Sequence, residues 1–212
     1  MALRGDDPGM RRATAQLADR GRQRDLLWAL GFDGTVAAIE QCLAVIDDPA
    51  QAGLAVESFC LITGLAPRGA GSAAHTSEAE DAEEAEPTPR APELGLPLPD
   101  VEAVRSLWRQ HRGRFQQNER YLLGMPHGRD ALLHGLAAAP MWRRPVLALA
   151  LAMRTGGVCQ LRIELLARDQ QQDLARFLEL PETSYSSSPG DVWRFLVVEG
   201  GEEKPARLSS IA

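Results

Sequence analysis

The apolar positions change their period along the chain, and each change marks a predicted element. Val36, Ile39, Leu43 and Ile46 recur at a 3-4-3 spacing that places them on one face of a helix. Asp47-Asp48-Pro49 then breaks the chain and restarts it, because proline has no N–H to lose in a first helical turn. Ala52, Ala55, Val56, Phe59 and Ile62 make the next apolar face. Gly31 follows the apolar run 26–30 and Gly64 follows the run 58–63, each in the position of a helix C-cap, so the chain up to residue 64 reads as a repeated helical unit. Small residues at Ala37, Ala38, Ala50, Ala52 and Ala55 allow close helix approach.

Between residues 65 and 99 the period disappears. Six acids fall between Glu78 and Glu86, and prolines follow at 87, 89, 92, 97 and 99, a composition that predicts an acidic linker turning stiff and extended. Asp100 is a natural N-cap for a helix carrying Val101, Val104, Trp108, His111 and Phe115 on one stripe. Leu132, Leu133 and Leu136 mark a further helix closed by Pro140, and the nearly unbroken apolar run up to Met153 predicts a helix packed on several sides, with Pro145 in its first turn. After Gly156-Gly157 the period falls to two: Cys159, Leu161, Ile163 and Leu165 alternate with polar residues, a strand pattern that the apolar run 192–198 would pair with. A helix is expected over 168–178. The predicted fold class is mainly α: HEAT-like helical repeats over 1–64, an acidic Pro-rich linker over 65–99, a second helical section over 100–180, and a tail over 181–212 with a small β element near the C-terminus.

Composition fits this reading, since alanine and leucine are abundant and 44% of the 212 residues are apolar. Lys204 is the only lysine, so arginine richness reflects genome bias rather than nucleic-acid affinity, and a net charge of −6 opposes general binding to DNA or RNA. Cys42, Cys60 and Cys159 are odd in number and far apart, as expected of free thiols in a reducing compartment. The N-terminus lacks the apolar core of a secretory signal, and the most apolar window, 145–153, is far short of a membrane span. A cytoplasmic protein with no membrane contact is the expectation.

Candidate chemistry is sparse. His75, His111, His127 and His134 form no HExxH motif and no Cys-His ligand spacing. Gly69-Ala70-Gly71-Ser72 follows no strand, and Ser186-Ser187-Ser188-Pro189-Gly190 has no nucleophile elbow around it. No catalytic, cofactor-binding or metal-ligating residue is assigned, no cofactor is expected, and the chain reads as non-enzymatic. Arg105, Arg109, Arg112 and Arg114 form a candidate basic patch that, with Trp108 or Tyr121 stacking on bases, would suit a nucleic-acid groove. The competing reading has Arg112 and Arg120 hold carbonyls and acids at a helix corner while Trp108, Phe115 and Tyr121 fill the core. The interleaved acids Glu102 and Glu119 favour the second.

The phrases AVESFCLITGL (55–65), LPD (98–100), WRQHRGRF (108–115) and RYLLG (120–124), in that order around an acidic linker, resemble a bacterial HEAT-repeat family found in proteobacteria. The likeness spans roughly residues 26 to 155. It departs at His127-Gly128, where the family tends to place a Ser/Thr cap, and after Thr155. Trp108, His111, Arg112, Phe115, Arg120 and Tyr121 are the structural motif that carries it. No activity is established for that family, and its genes tend to lie near type VI secretion components. The resemblance therefore implies an α-solenoid scaffold or adaptor that binds another protein. A HEAT-like protein that binds or modifies nucleic acid through the 105–120 segment is the alternative.

Overall fold

Three side chains start three of the helices. Thr35 Oγ1 accepts from the Ala38 N–H at 3.2 Å, Asp48 Oδ1 from Ala50 at 3.0 Å and Asp100 Oδ1 from Ala103 at 3.0 Å, each satisfying a donor that the first helical turn leaves orphaned. The structure is a computed structural model that describes residues 20–67, 96, 98–163, 167–179 and 185. In chain order the helices are α1 (Arg20–Asp33), α2 (Val36–Ala44), α3 (Pro49–Thr63), α4 (Val101–His111), α5 (Arg129–Ala138), α6 (Arg144–Arg154) and α7 (Ala167–Glu179). Single 3-10 turns, Arg112–Arg114 and Met141–Arg143, follow α4 and precede α6. Pro49 and Pro145 sit in the first turns of α3 and α6. The protein is mainly helical.

Gly31 is not a C-cap. Helix α1 runs on to Asp33, and the left-handed residue that ends it is Gly34, with φ of 74°. A Cβ on Gly31 would lie 3.1 Å from Arg143 Nη1 and 3.2 Å from Leu61 Cδ2, so this glycine serves close approach rather than termination. Gly64 does cap α3, with φ of 67° and its N–H donating to the Cys60 carbonyl.

Among the described residues the paired strands lie in the middle of the chain. Strands β1 (Tyr121–Leu122) and β2 (Met125–Pro126) pair antiparallel, and both turn residues, Leu123 (φ 52°) and Gly124 (φ 78°), take the left-handed conformation that suits a two-residue hairpin. The expected strand over 159–165 is corrected: residues 159–163 are irregular or turn. Two of their donors are satisfied locally, the Cys159 N–H by Thr155 Oγ1 at 3.0 Å and the Arg162 guanidinium by Asp173 on α7 at 3.1 Å. The alternation there records burial instead, since Cys159 is buried, Leu161 and Ile163 are half-buried, and Gln160 and Arg162 are exposed. The candidate strand 192–198, residues 164–166, most of the acidic linker and His75 lie outside the described residues.

Two apolar cores meet along β1. Tyr121 joins Leu27, Val36, Ile39, Phe59, Val104 and Trp108 in the first, whereas Leu122 joins Phe32, Leu61, Leu132, Leu136, Leu147 and Phe177 in the second. Successive strand residues point to opposite faces, so two neighbouring side chains tie the two cores together. Helices α1 and α3 also contribute to both, with Leu27 and Phe59 on one side and Phe32 and Leu61 on the other. Among the described residues no helix is long and apolar enough to cross a membrane.

Candidate functional site

The segment 108–126 begins with a run of packed aromatics. Phe59 and Trp108 meet edge-on at 6.2 Å, Trp108 and Phe115 lie tilted at 5.4 Å, and Phe115 and Tyr121 meet edge-on at 4.9 Å. Trp108, Phe115 and Tyr121 are all buried, so none presents a ring face on which a base could stack. Arg112 lies over the Trp108 ring at 5.3 Å, donates from Nη1 to the Phe115 carbonyl at 2.9 Å and stands 3.7 Å from Glu40. His111 ends α4 half-buried, at the rim of the stripe rather than within it. The Tyr121 hydroxyl accepts from the Gln116 N–H and donates to Glu119, both at 2.9 Å.

The next five residues cap two helices at once. The last carbonyls of a helix have no partner within it. Arg120 supplies those of α1, donating from Nε to Asp33 O at 2.7 Å and from Nη2 to Phe32 O at 2.8 Å, and its charge also suits the negative end of the helix dipole. The Tyr121 N–H donates to Gly34 O at 2.7 Å. The hairpin tip then serves α3: the Leu123 N–H reaches Leu61 O at 2.6 Å and the Gly124 N–H reaches Ile62 O at 2.9 Å. RYLLG is thus one strip of chain that closes two helix C-termini while Tyr121 and Leu122 enter the two cores.

The candidate basic patch is largely matched by acids. Arg105 pairs with Asp47 at 2.6 Å, Arg109 with Glu102 at 2.5 Å, and Arg112 faces Glu40, while Arg114 is exposed on the 3-10 turn. Three of the four arginines therefore stand beside a carboxylate, which removes most of the positive field that a phosphate backbone would require.

Two charged clusters escaped the sequence reading. Arg143 is completely buried and donates to both carboxylate oxygens of Glu57, to Trp28 O at 2.5 Å and to Ser58 Oγ at 2.9 Å. Its guanidinium also lies 5.1 Å from the Trp28 ring centre and 4.9 Å from that of Phe32. This cluster joins α1, α3 and the turn before α6. Neither residue stands in a motif, and they are 86 positions apart, so only the fold reveals the pair.

The second cluster surrounds a cleft of about 320 Å³ lined by Glu119, Arg120, Pro126, His127 and Arg154. Burial and then the neighbouring charges of Arg120 and Arg154 push the His127 imidazole down to about 3, so it is neutral at ordinary pH. Burial lowers the pKa of Arg154 as well, and lies first among the causes that lower that of Arg120. The Tyr185 ring lies 5.7 Å from the Arg154 guanidinium. Elsewhere, burial raises the Cys42 and Cys60 thiols to about 12, and all three cysteines are free. Among the described residues no group of three or more His, Cys, Asp or Glu is placed to hold a metal ion.

Compared with known proteins, the chain matches no family model, no curated protein and no solved structure.

Proposed function

We propose that the chain is a HEAT-like helical adaptor that binds another protein through the outer face of α6, in association with type VI secretion. The observation that carries this reading is an exposed apolar row. Leu149 on α6 is 53% exposed, Pro145 in its first turn is exposed, and Met141 in the 3-10 turn just before it is 64% exposed, so apolar residues recur at four-residue spacing. On the opposite side of the same helix Leu147 and Leu151 are buried, and the adjoining Arg143 cluster anchors its start. A row at that spacing on a rigid support fits the apolar face of a partner helix. It is also the face that a unit of a helical array would turn to the next unit. The secretion association comes from the family resemblance of the RYLLG and WRQHRGRF segments. The nucleic-acid alternative is disfavoured by the carboxylates beside Arg105, Arg109 and Arg112.

The test is partner recovery from a host that carries a type VI system. Met141→Asp and Leu149→Asp, both at exposed positions, should leave thermal stability unchanged and abolish recovery of a defined secretion component. Arg114→Asp, away from that face, should leave recovery intact. Equal recovery by all three variants would refute the assigned surface, and failure of the unaltered chain to recover any secretion component would refute the association.

A further inference from the structure

The uncharged surface is longer than the row on α6. Between positions 136 and 159 every exposed residue is apolar or a glycine, although charged residues make up 25% of the chain. Arg143 and Arg154 fall in this stretch and are buried, while Arg144 is half-buried and gives its Nε and Nη2 to the Ala139 and Ala137 carbonyls. The exposed face therefore runs from Met141 to Leu149 without a charge, and Val158 lies 66% exposed just beyond the C-terminal end of α6. Exposed apolar residues gathered on one face mark a place where another apolar surface docks.

The chain returns to the C-terminal end of that face. Tyr185 packs against the second core, and its ring lies 5.7 Å from the guanidinium of Arg154, the last residue of α6. A short way further on, outside the described residues, comes the run VWRFLVV (192–198), whose single charge is Arg194. The step from Tyr185 to Val192 spans up to about 23 Å, and α6 is about 16 Å long, so the run can reach any point on the row. Residues 159–163 form no strand, which leaves the run without the partner that its pattern predicts.

We propose that the run 192–198 of the same chain docks on the outer face of α6, with Trp193 and Phe195 as its anchors, and so competes with the protein partner assigned to that face. The competition rests on that assignment, whereas the docking does not. An apolar run suits this face because neither surface has to strip water from an exposed charge when the two meet. Trp193 and Phe195 offer the largest apolar area in the run, and the stem of Arg194 can pack between them while its guanidinium stays in water. Tethering favours this occupant over a second copy of the chain. A segment held at the end of α6 by Tyr185 has an effective concentration on the order of millimolar, far above that of a free copy, so even a weak contact is well populated.

The test uses the full chain, labelled with ¹³C at methionine methyl groups and ¹⁵N at tryptophan. Replacing both anchors, Trp193→Asp with Phe195→Asp, should move the Met141 methyl resonance, which Met141→Leu identifies. Reciprocally, Leu149→Asp should move the Trp193 indole resonance, and Arg114→Asp should not. Both shifts should be the same at low and high protein concentration, with the chain monomeric by light scattering. Resonances that stay in place in both variants would overturn the proposal. Shifts that grow with protein concentration would also overturn it and give the face to a second copy. For the competition, the Trp193→Asp, Phe195→Asp chain should recover about three- to tenfold more of the secretion component than the unaltered chain. Equal recovery would overturn the competition. Recovery of no component by either chain would refute the partner assignment, and the resonance shifts would still decide the docking.

Discussion

Arg143 places a guanidinium where it is completely buried, and its surroundings make that tolerable. Glu57, whose side chain is only 10% exposed, neutralises it, while the Trp28 carbonyl and Ser58 hydroxyl take further N–H groups. Removing one member strands the other. Arg143→Met should destabilise the protein by about 3–5 kcal/mol in urea denaturation, because the Glu57 charge stays behind unpaired. Adding Glu57→Leu should recover about 1–3 kcal/mol of that loss, since the stranded charge is then gone. If the double variant is instead less stable than the single, the ion pair is not what holds these elements. Trp108 tests the same scale without charge. It is 8% exposed and sits between Phe59 and Phe115, so Trp108→Ala should cost about 3–5 kcal/mol through lost burial and a cavity. An unchanged denaturation midpoint would show that its role is at the surface.

At the scale of elements, the end of α3 and the hairpin tip are one contact made of backbone. A Cβ on Gly64 would lie 2.5 Å from Leu123 O, and a Cβ on Gly124 would lie 2.6 Å from Thr63 O; both glycines also hold left-handed φ values. Each substitution to alanine should therefore cost about 2–3 kcal/mol, from the conformation and the forced separation together. The double variant should cost clearly less than the two added, because the first change already parts the surfaces that the second would disturb. Strict additivity in a denaturation cycle would argue that the two turns are independent. How far such elements are legible depends on the range of the interaction that makes them. Asp48-Pro49 and Asp100 announce helix starts within four residues, and the stripe of Val104, Trp108 and Phe115 announces a face. Gly31 misleads, because a glycine kept for packing against Arg143 looks the same in sequence as one that ends a helix. The hairpin goes unread because two-residue strands are too short to show a period of two. The Arg143–Glu57 pair and the Arg120–Arg154 cleft involve residues that only folding brings together, and no local spacing encodes them.

For the whole molecule, burial of His127 links global stability to pH. The unfolded chain holds this imidazole near 6.5 and the folded protein near 3, chiefly through burial and then through the two arginines. Above pH 6.5 it is neutral in both states and adds no pH dependence. Below that value the unfolded chain takes up a proton that the folded protein refuses, so stability falls with pH, by at most about 1.4 kcal/mol per unit, until the folded value near 3 is reached. Carboxylates elsewhere change stability in the same range, so the informative quantity is a difference between variants. Between pH 7 and pH 5 the unaltered protein should lose about 1–2 kcal/mol more than His127→Gln, measured by urea denaturation at each pH. Equal losses would mean that the imidazole is not held neutral.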